Sequence, residues 1–264
     1  MPEATLAQEL ANPPKPWAKE GDQAEGLRRL VQARGPGWTP MLLAGLRNAG
    51  LGPRLLPVLQ DFAAARGRLL VVDAARVQVG AAAGLALRYD LEHVLAGDCP
   101  LGEACVAASE RMWILPAGRA LDGGWGAAGR GREVAAALMG IAAGFDEVVL
   151  LLPAARASWL RQVPQALGTG SAVVPMAGGA EASTTVLSAI RGGVAEAEIA
   201  DFHLLILGLG EAAAGRLLSG VAAIAGRHFG ARVTGARTLA GAAGGDARTA
   251  RARAPGTETE SGSR

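Results

Sequence analysis

The chain has 264 residues, half of them apolar, with a formal net charge of +2 and two cysteines. That length and apolar content suit one large domain with a buried core, and the 26 basic residues are spread along the chain instead of forming the stripe of a dedicated nucleic-acid binder. Cys99 and Cys105 have neither CxxC spacing nor a histidine cluster beside them, so reduced core thiols are expected and a disulfide or zinc site is not.

No run reaches the roughly 18 consecutive apolar residues of a membrane helix, and the opening MPEATLAQELANPPKPWAKEG lacks the charged-then-apolar order of a secretion signal. The expectation is a cytoplasmic protein with no stable membrane insertion and no direct contact with nucleic acid. Arginine occurs 24 times, whereas the only lysines are Lys15 and Lys19. No lysine after position 19 is therefore present to neutralise a bound phosphate.

In chain order, residues 1–21 hold Pro13, Pro14 and Pro16 without an apolar period and read as a flexible arm. Residues 22–35, DQAEGLRRLVQARG, read as a short helix. Asp22 is placed to cap it, Glu25 follows three residues later in an approximate capping box, and Ala24, Leu27, Leu30 and Val31 form one stripe. The pattern alone leaves two readings open: the helix folds onto its own domain, or it is presented to a partner.

Residues 36–240 alternate short apolar runs with longer helical patterns. TPMLLAG (39–45) leads into the glycine-bearing RNAGLGPRLL from Arg47. RLLVVD (68–73), RMWILP (111–116), EVVLLLP (147–153), SAVVPM (171–176) and DFHLLILG (201–208) are continuous runs expected of parallel strands covered on both faces. RLLPVLQDFAAA, LEHVLAG, GREVAAALMGIAAG, EASTTVLSAIRGG and EAAAGRLLSGVAAIAGRHFG carry apolar residues at spacings of three and four, often ending in glycine. The expected fold class is α/β, a mostly parallel central sheet with helices on both faces, and ligands in such folds sit beyond the carboxyl ends of the strands. From Gly241 the chain is glycine, arginine and small polar residues, and residues 241–264 are expected to form a disordered tail.

Other chemistry is thinly represented. His93, His203 and His228 fall in a short helix, at a strand start and near a helix end, with no nucleophile or carboxylate at motif spacing. Asp73 ends a strand, where a lone acid usually caps the following turn. GGWGAAGRGREV (123–134) follows no strand directly and reads as a connection into the next helix. The tryptophans, Trp17, Trp38, Trp113, Trp125 and Trp159, are scattered and give no stacking platform. No catalytic and no metal-binding residue is expected.

DQAEGLRRL, then a glycine-rich loop, RLLVVDAA, LEHVLAGDCPLGEA and WILPAGRA are similar in order and spacing to the MinD/ParA-type ATPases, P-loop proteins with a three-layer sandwich fold, and within them to the flagellar number regulators of FlhG/FleN type. The resemblance spans roughly residues 22–235, and its most specific part is DQAEGLR. It implies that Asp22, Gln23, Ala24, Leu27 and Arg28 stimulate a signal-recognition-type flagellar GTPase. It also extends to a flagellar transcription activator as a further partner, to recruitment to the cell pole, and to dimerisation around two ATP molecules.

The nucleotide site departs from that family. A working loop reads roughly GKGGVGKT: backbone amides cradle phosphates, a lysine neutralises them and a hydroxyl holds magnesium. Here the segment has Arg47, Asn48, Gly50, Gly52, Pro53 and Arg54; Pro53 or Arg54 takes the lysine position, and no hydroxyl follows. The family's LDAD appears as VDAA, keeping Asp73 and placing Ala75 at the second acid. DTPAG appears as LLPAA, with Leu151 at the metal-facing carboxylate, and the adenine-reading asparagine is replaced by Gly208. The expectation is a regulator without a cofactor that has lost ATP hydrolysis and works through its N-terminal helix. Two alternatives stay open: a divergent loop that still binds ATP and magnesium through Arg47 or Arg54, and a MinD/ParA-like partner in polar or chromosome positioning.

Overall fold

A computed structural model describes residues 36–44, 50–122, 130–163, 170–177 and 182–236. The expected arm, the DQAEGLR helix, Arg47 and Asn48, and the expected tail lie outside the described residues.

The strands are β1 (Gly37–Leu43), β2 (Leu69–Asp73), β3 (Val106–Ala107), β4 (Met112–Pro116), β5 (Glu147–Pro153), β6 (Ser171–Ala177), β7 (Asp201–Leu207) and β8 (Arg232–Ala236). Between them run α1 (Gly52–Arg66), α2 (Val79–Ala82), α3 (Leu91–Ala96), α4 (Leu101–Ala104), α5 (Gly118–Asp122), α6 (Arg130–Ala142), a 3-10 helix (Ala154–Gln162), α7 (Ala182–Ala197) and α8 (Glu211–Phe229). The sheet order is β3-β4-β2-β5-β1-β6-β7-β8, parallel except for the two-residue β3.

β1 sits at the centre, paired with β5 on one side and β6 on the other. The chain leaves β1 through α1, passes the β5 position and returns as β2, whereas β6, β7 and β8 step outward in the opposite direction. The reversal of order at β1 makes its carboxyl end the crevice where such sheets place ligands.

Period-two alternation sorts the strand residues to two apolar faces. Met41, Leu43, Leu69, Val71, Val149 and Leu151 face Leu55, Leu59 and Phe62 of α1. Leu42, Leu70, Val72, Val148, Leu150 and Leu152 face the layer built from α3, α5, α6, the 3-10 helix and α7, with α8 reaching it through Val221 and Ala225. Both faces are covered, which is why these runs read as continuous hydrophobes.

Every strand expected from the sequence is present, shifted by no more than two residues at an end, and the helices expected within residues 36–240 are present too. The differences are the two edges: antiparallel β3 and exposed β8 were not expected. β8, RVTGA, is a short edge strand whose residues are exposed or half-buried, so it lacks the apolar run that marks the others.

Candidate functional site

The crevice at the carboxyl end of β1 is built on the first turn of α1. Pro53 has no N–H and occupies the start of the helix, a position proline tolerates because donors there have no partner within the helix. In a phosphate loop those same donors hold the ligand. The next donor is also committed: the Arg54 N–H donates to the Leu51 carbonyl at 3.0 Å, and Leu55 N–H shares that acceptor at 2.8 Å.

Gly52 is buried against the turn that follows β2. A Cβ there would stand 2.6 Å from the Val77 carbonyl oxygen and 3.0 Å from that of Gln78. Since a helical Cα–Cβ bond tilts toward the N-terminus, these oxygens lie at the N-terminal end of α1, where the partial positive charge of the helix attracts them. Gly52 is thus required for close backbone approach within the protein itself.

Asp73 holds that turn in place. Its Oδ1 accepts from Val77 N–H at 2.9 Å and its Oδ2 from Gln78 N–H at 3.0 Å, while the residue is 7 % exposed. Burial pushes its carboxyl above the usual aspartate range, and the N–H donors of Val77, Gln78, Val79 and Arg76 pull it back. Arg76 and Gln78 both adopt left-handed backbone angles, φ 54° and 63°, which the Asp73 bonds stabilise. The expectation that Asp73 caps the following turn therefore matches its geometry.

Two arginines reach across the crevice. Arg54 Nη1 lies 3.6 Å from the Cβ position of Gly208, whose φ of +76° ends β7. Arg76 crosses the other way, its Nε 2.6 Å from where a Cβ on Gly118 would stand. Ala75 and Leu151, at the two positions the resemblance assigns to acids, are 5 % and 0 % exposed and belong to the apolar core beneath α1.

Among the described residues, the first turn of α1 brings no lysine and no hydroxyl to this crevice, and residues 45–49, which precede it, lie outside them. That turn carries Pro53 and an Arg54 N–H bonded to Leu51, the Val77 and Gln78 carbonyls approach it, and Leu151 stands where the resemblance places a metal-facing acid. Among the described residues no group of three or more His, Cys, Asp and Glu could hold a metal ion.

The histidines have structural partners. Asp90 caps α3, accepting from Glu92 N–H at 3.0 Å, while its own N–H donates to His93 Nδ1 at 3.1 Å. Asp90 also accepts from Arg119 and Ala120 N–H at 3.0 and 3.2 Å, which ties α3 to α5. This buried knot was missed at the sequence level; the signal available was an aspartate before LEHVLAG with a polar side chain three residues on. His203 Nδ1 meets Thr234 Oγ1 at 2.9 Å across the β7–β8 pair; burial lowers its pKa, against the raising effect of Asp201. His228 neighbours Phe229 near the end of α8.

Cys99 and Cys105 are free, as expected, and burial pushes the Cys105 thiol up to about 12. No described helix is long and apolar enough to cross a membrane.

No family model matches the chain, and no curated protein matches it. Among solved structures it is similar to a chain of the MinC:MinD cell division protein complex of Aquifex aeolicus at 14 % identity, covering 74 % of this chain and 79 % of that one with a TM-score of 0.48. A plasmid partition protein from Borrelia burgdorferi is similar at 10 % identity over 75 % of this chain and 88 % of its own, TM-score 0.49. Cobyrinic acid a,c-diamide synthase from Mycobacterium smegmatis, solved with ADP and magnesium, is similar at 21 % identity over 64 % and 74 %, TM-score 0.44. The strand order and the two covered faces define the class here: a three-layer α/β fold with a mostly parallel sheet.

Proposed function

We propose that this chain is a MinD/ParA-type regulator of flagellar number and placement that has given up ATP hydrolysis and acts through protein–protein contact. The observation that carries the reading is the first turn of α1. Pro53 lacks an N–H, the Arg54 N–H is bonded to Leu51, and the Val77 and Gln78 carbonyls crowd Gly52, all of which disfavour a triphosphate at the described part of the loop. Ala75 and Leu151 support it, because two apolar residues packed beneath α1 supply neither a base nor a magnesium ligand.

With the crevice tied off, the fold is a scaffold and the working surface is the segment at Asp22, Gln23, Ala24, Leu27 and Arg28, which carries the DQAxxLR pattern. Its partner in this reading is a signal-recognition-type flagellar GTPase, with a flagellar transcription activator as a further contact and the cell pole as the place of action. The test is GTP turnover by that GTPase with the full chain added and with the Gln23→Ala variant. Stimulation by the first and its loss in the second is the expected result; unchanged turnover with the wild-type chain removes the flagellar reading.

A further inference from the structure

The eight-stranded sheet ends in two unlike edges. β3 is two residues long and antiparallel, which blunts its side. β8 is a five-residue strand parallel to β7, and among the described residues nothing pairs with its outer edge. Its pairing with β7 fixes which backbone groups that edge presents. Arg232 N–H donates inward to the Ala200 carbonyl at 2.8 Å, and the hydrogen-bonding direction alternates along a strand. Arg232, Thr234 and Ala236 are thus turned to β7, and Val233 and Gly235 hold their N–H and C=O groups outward.

We propose that this edge joins a second copy of the chain, β8 against β8 in antiparallel register about a twofold axis at Thr234. A twofold interface must be complementary to itself. In this register Val233 lies opposite Gly235 of the second copy and Gly235 opposite its Val233, so all the outward N–H and C=O groups of both strands find partners. Centring the axis on Val233 or Gly235 instead pairs that residue with its equivalent and sends the other beyond the end of the strand. Thr234 meets its equivalent across the axis as a non-hydrogen-bonded pair, where Cα atoms stand about 4.5 Å apart, and threonine pairs across strands are favourable. Arg232 falls opposite Ala236, so no like charges face each other, and its guanidinium is held by Asp201 of its own chain.

The flank of α8 above that edge agrees. Val221 and Ala225 turn α8 into the core, and the Leu218 side chain sits 2.8 Å from where a Cβ on Gly235 would stand. At about 100° per residue, the side of α8 turned outward beyond β8 is lined by Gly215, Ser219, Ala222 and Gly226. Nothing stands within 4 Å of a Cβ at Gly215, so this flank is open there. The twofold sets two such flanks side by side on one face of the joined sheet, and small residues let the helix backbones approach. Between helix and strand lies a hollow of about 480 Å³ with Leu218 and Gly235 in its wall, and Val233 of the second copy arrives opposite Gly235 on that same face. A 19-residue helix is roughly 28 Å long, so helix and strand edge offer a flank of roughly 28 Å by 15–20 Å, about 1,000 Å² over two copies, where specific interfaces begin. β6 and β7 separate this edge from β1, so the pairing needs no nucleotide.

The test uses the full chain without nucleotide. Sedimentation equilibrium is expected to return twice the mass of one chain at about 100 μM protein. In Thr234→Glu two carboxylates meet on the axis, and the dissociation constant should rise roughly tenfold or more at low salt, with an unchanged far-UV spectrum showing that the chain still folds. Thr234→Cys should link two molecules through a 234–234 disulfide, identified by peptide mapping against Cys99 and Cys105, because such a pair approaches disulfide geometry. Val233→Cys, which faces a glycine, should not link to itself. A monomeric wild-type chain would overturn the pairing, and so would a dimer that keeps its affinity in Thr234→Glu. Should that variant fail to fold, the Thr234→Cys link decides, and its absence overturns the pairing.

Discussion

At Asp73 two effects oppose each other, and the pH dependence of stability separates them. Burial raises the carboxyl and the N–H donors of the following turn lower it, with burial the larger. Because its folded pKa lies above the ordinary value of 3.8, the folded state holds a proton that the unfolded chain has released. The resulting stabilisation is full below that ordinary value and is lost as pH rises through the folded one. In urea unfolding series above about pH 4, Asp73→Asn should flatten the decline of stability with pH. Glu147, whose carboxyl is also raised mainly by burial, keeps the remainder of the slope. The variant should also lose about 1–3 kcal/mol at every pH, since an amide cannot accept from both Val77 and Gln78. A slope unchanged by the substitution would remove Asp73 from this role. Cys105 gives a second check at this scale: with its thiol near 12, alkylation at pH 8 should be slow in the native chain and rapid in denaturant.

At the scale of elements, α1 forms in spite of its own sequence. Pro57 stands inside it, exposed, and removes a backbone bond that the burial of Leu55, Leu59, Phe62 and Ala63 offsets. Pro57→Ala restores the donor for the Pro53 carbonyl and should stabilise the chain by roughly 1–3 kcal/mol. The expected readout is a higher urea midpoint at unchanged slope; a fall would mean that α1 is bent there for a reason. Asp90 works the other way. Its replacement by alanine strips the cap from α3 and leaves Arg119 and Ala120 N–H without their acceptor, a loss of about 1–3 kcal/mol in the same assay.

These two elements also show what the sequence could and could not convey. Spacings of three and four carried α1 despite Pro57, and the apolar runs carried six of the strands, because each records burial on a face that a single segment fully determines. The Asp90 knot depends on α5 arriving 29 residues later, and no local pattern encodes that approach. β8 was missed because an edge strand needs only one covered face. At the site, Pro53, Arg54, Ala75 and Leu151 were legible as residue types. The packing of Val77 and Gln78 oxygens on Gly52 was not, since it rests on two left-handed residues that carry no glycine or asparagine to announce them.

For the whole molecule, the reversal of strand order at β1 makes the crevice of an α/β ligand site, and the chain's own side chains and the turn after β2 reach into it. Arg54 reaches the end of β7, Arg76 lies over Gly118, and the turn after β2 rests on α1. Under the function proposed above, its partner contacts should be indifferent to nucleotide. The direct measurement is titration calorimetry of the full chain with ATP and magnesium. No binding heat is expected up to millimolar nucleotide, whereas a site with micromolar Kd, worth about 8 kcal/mol of binding free energy, would contradict the proposed loss of nucleotide binding.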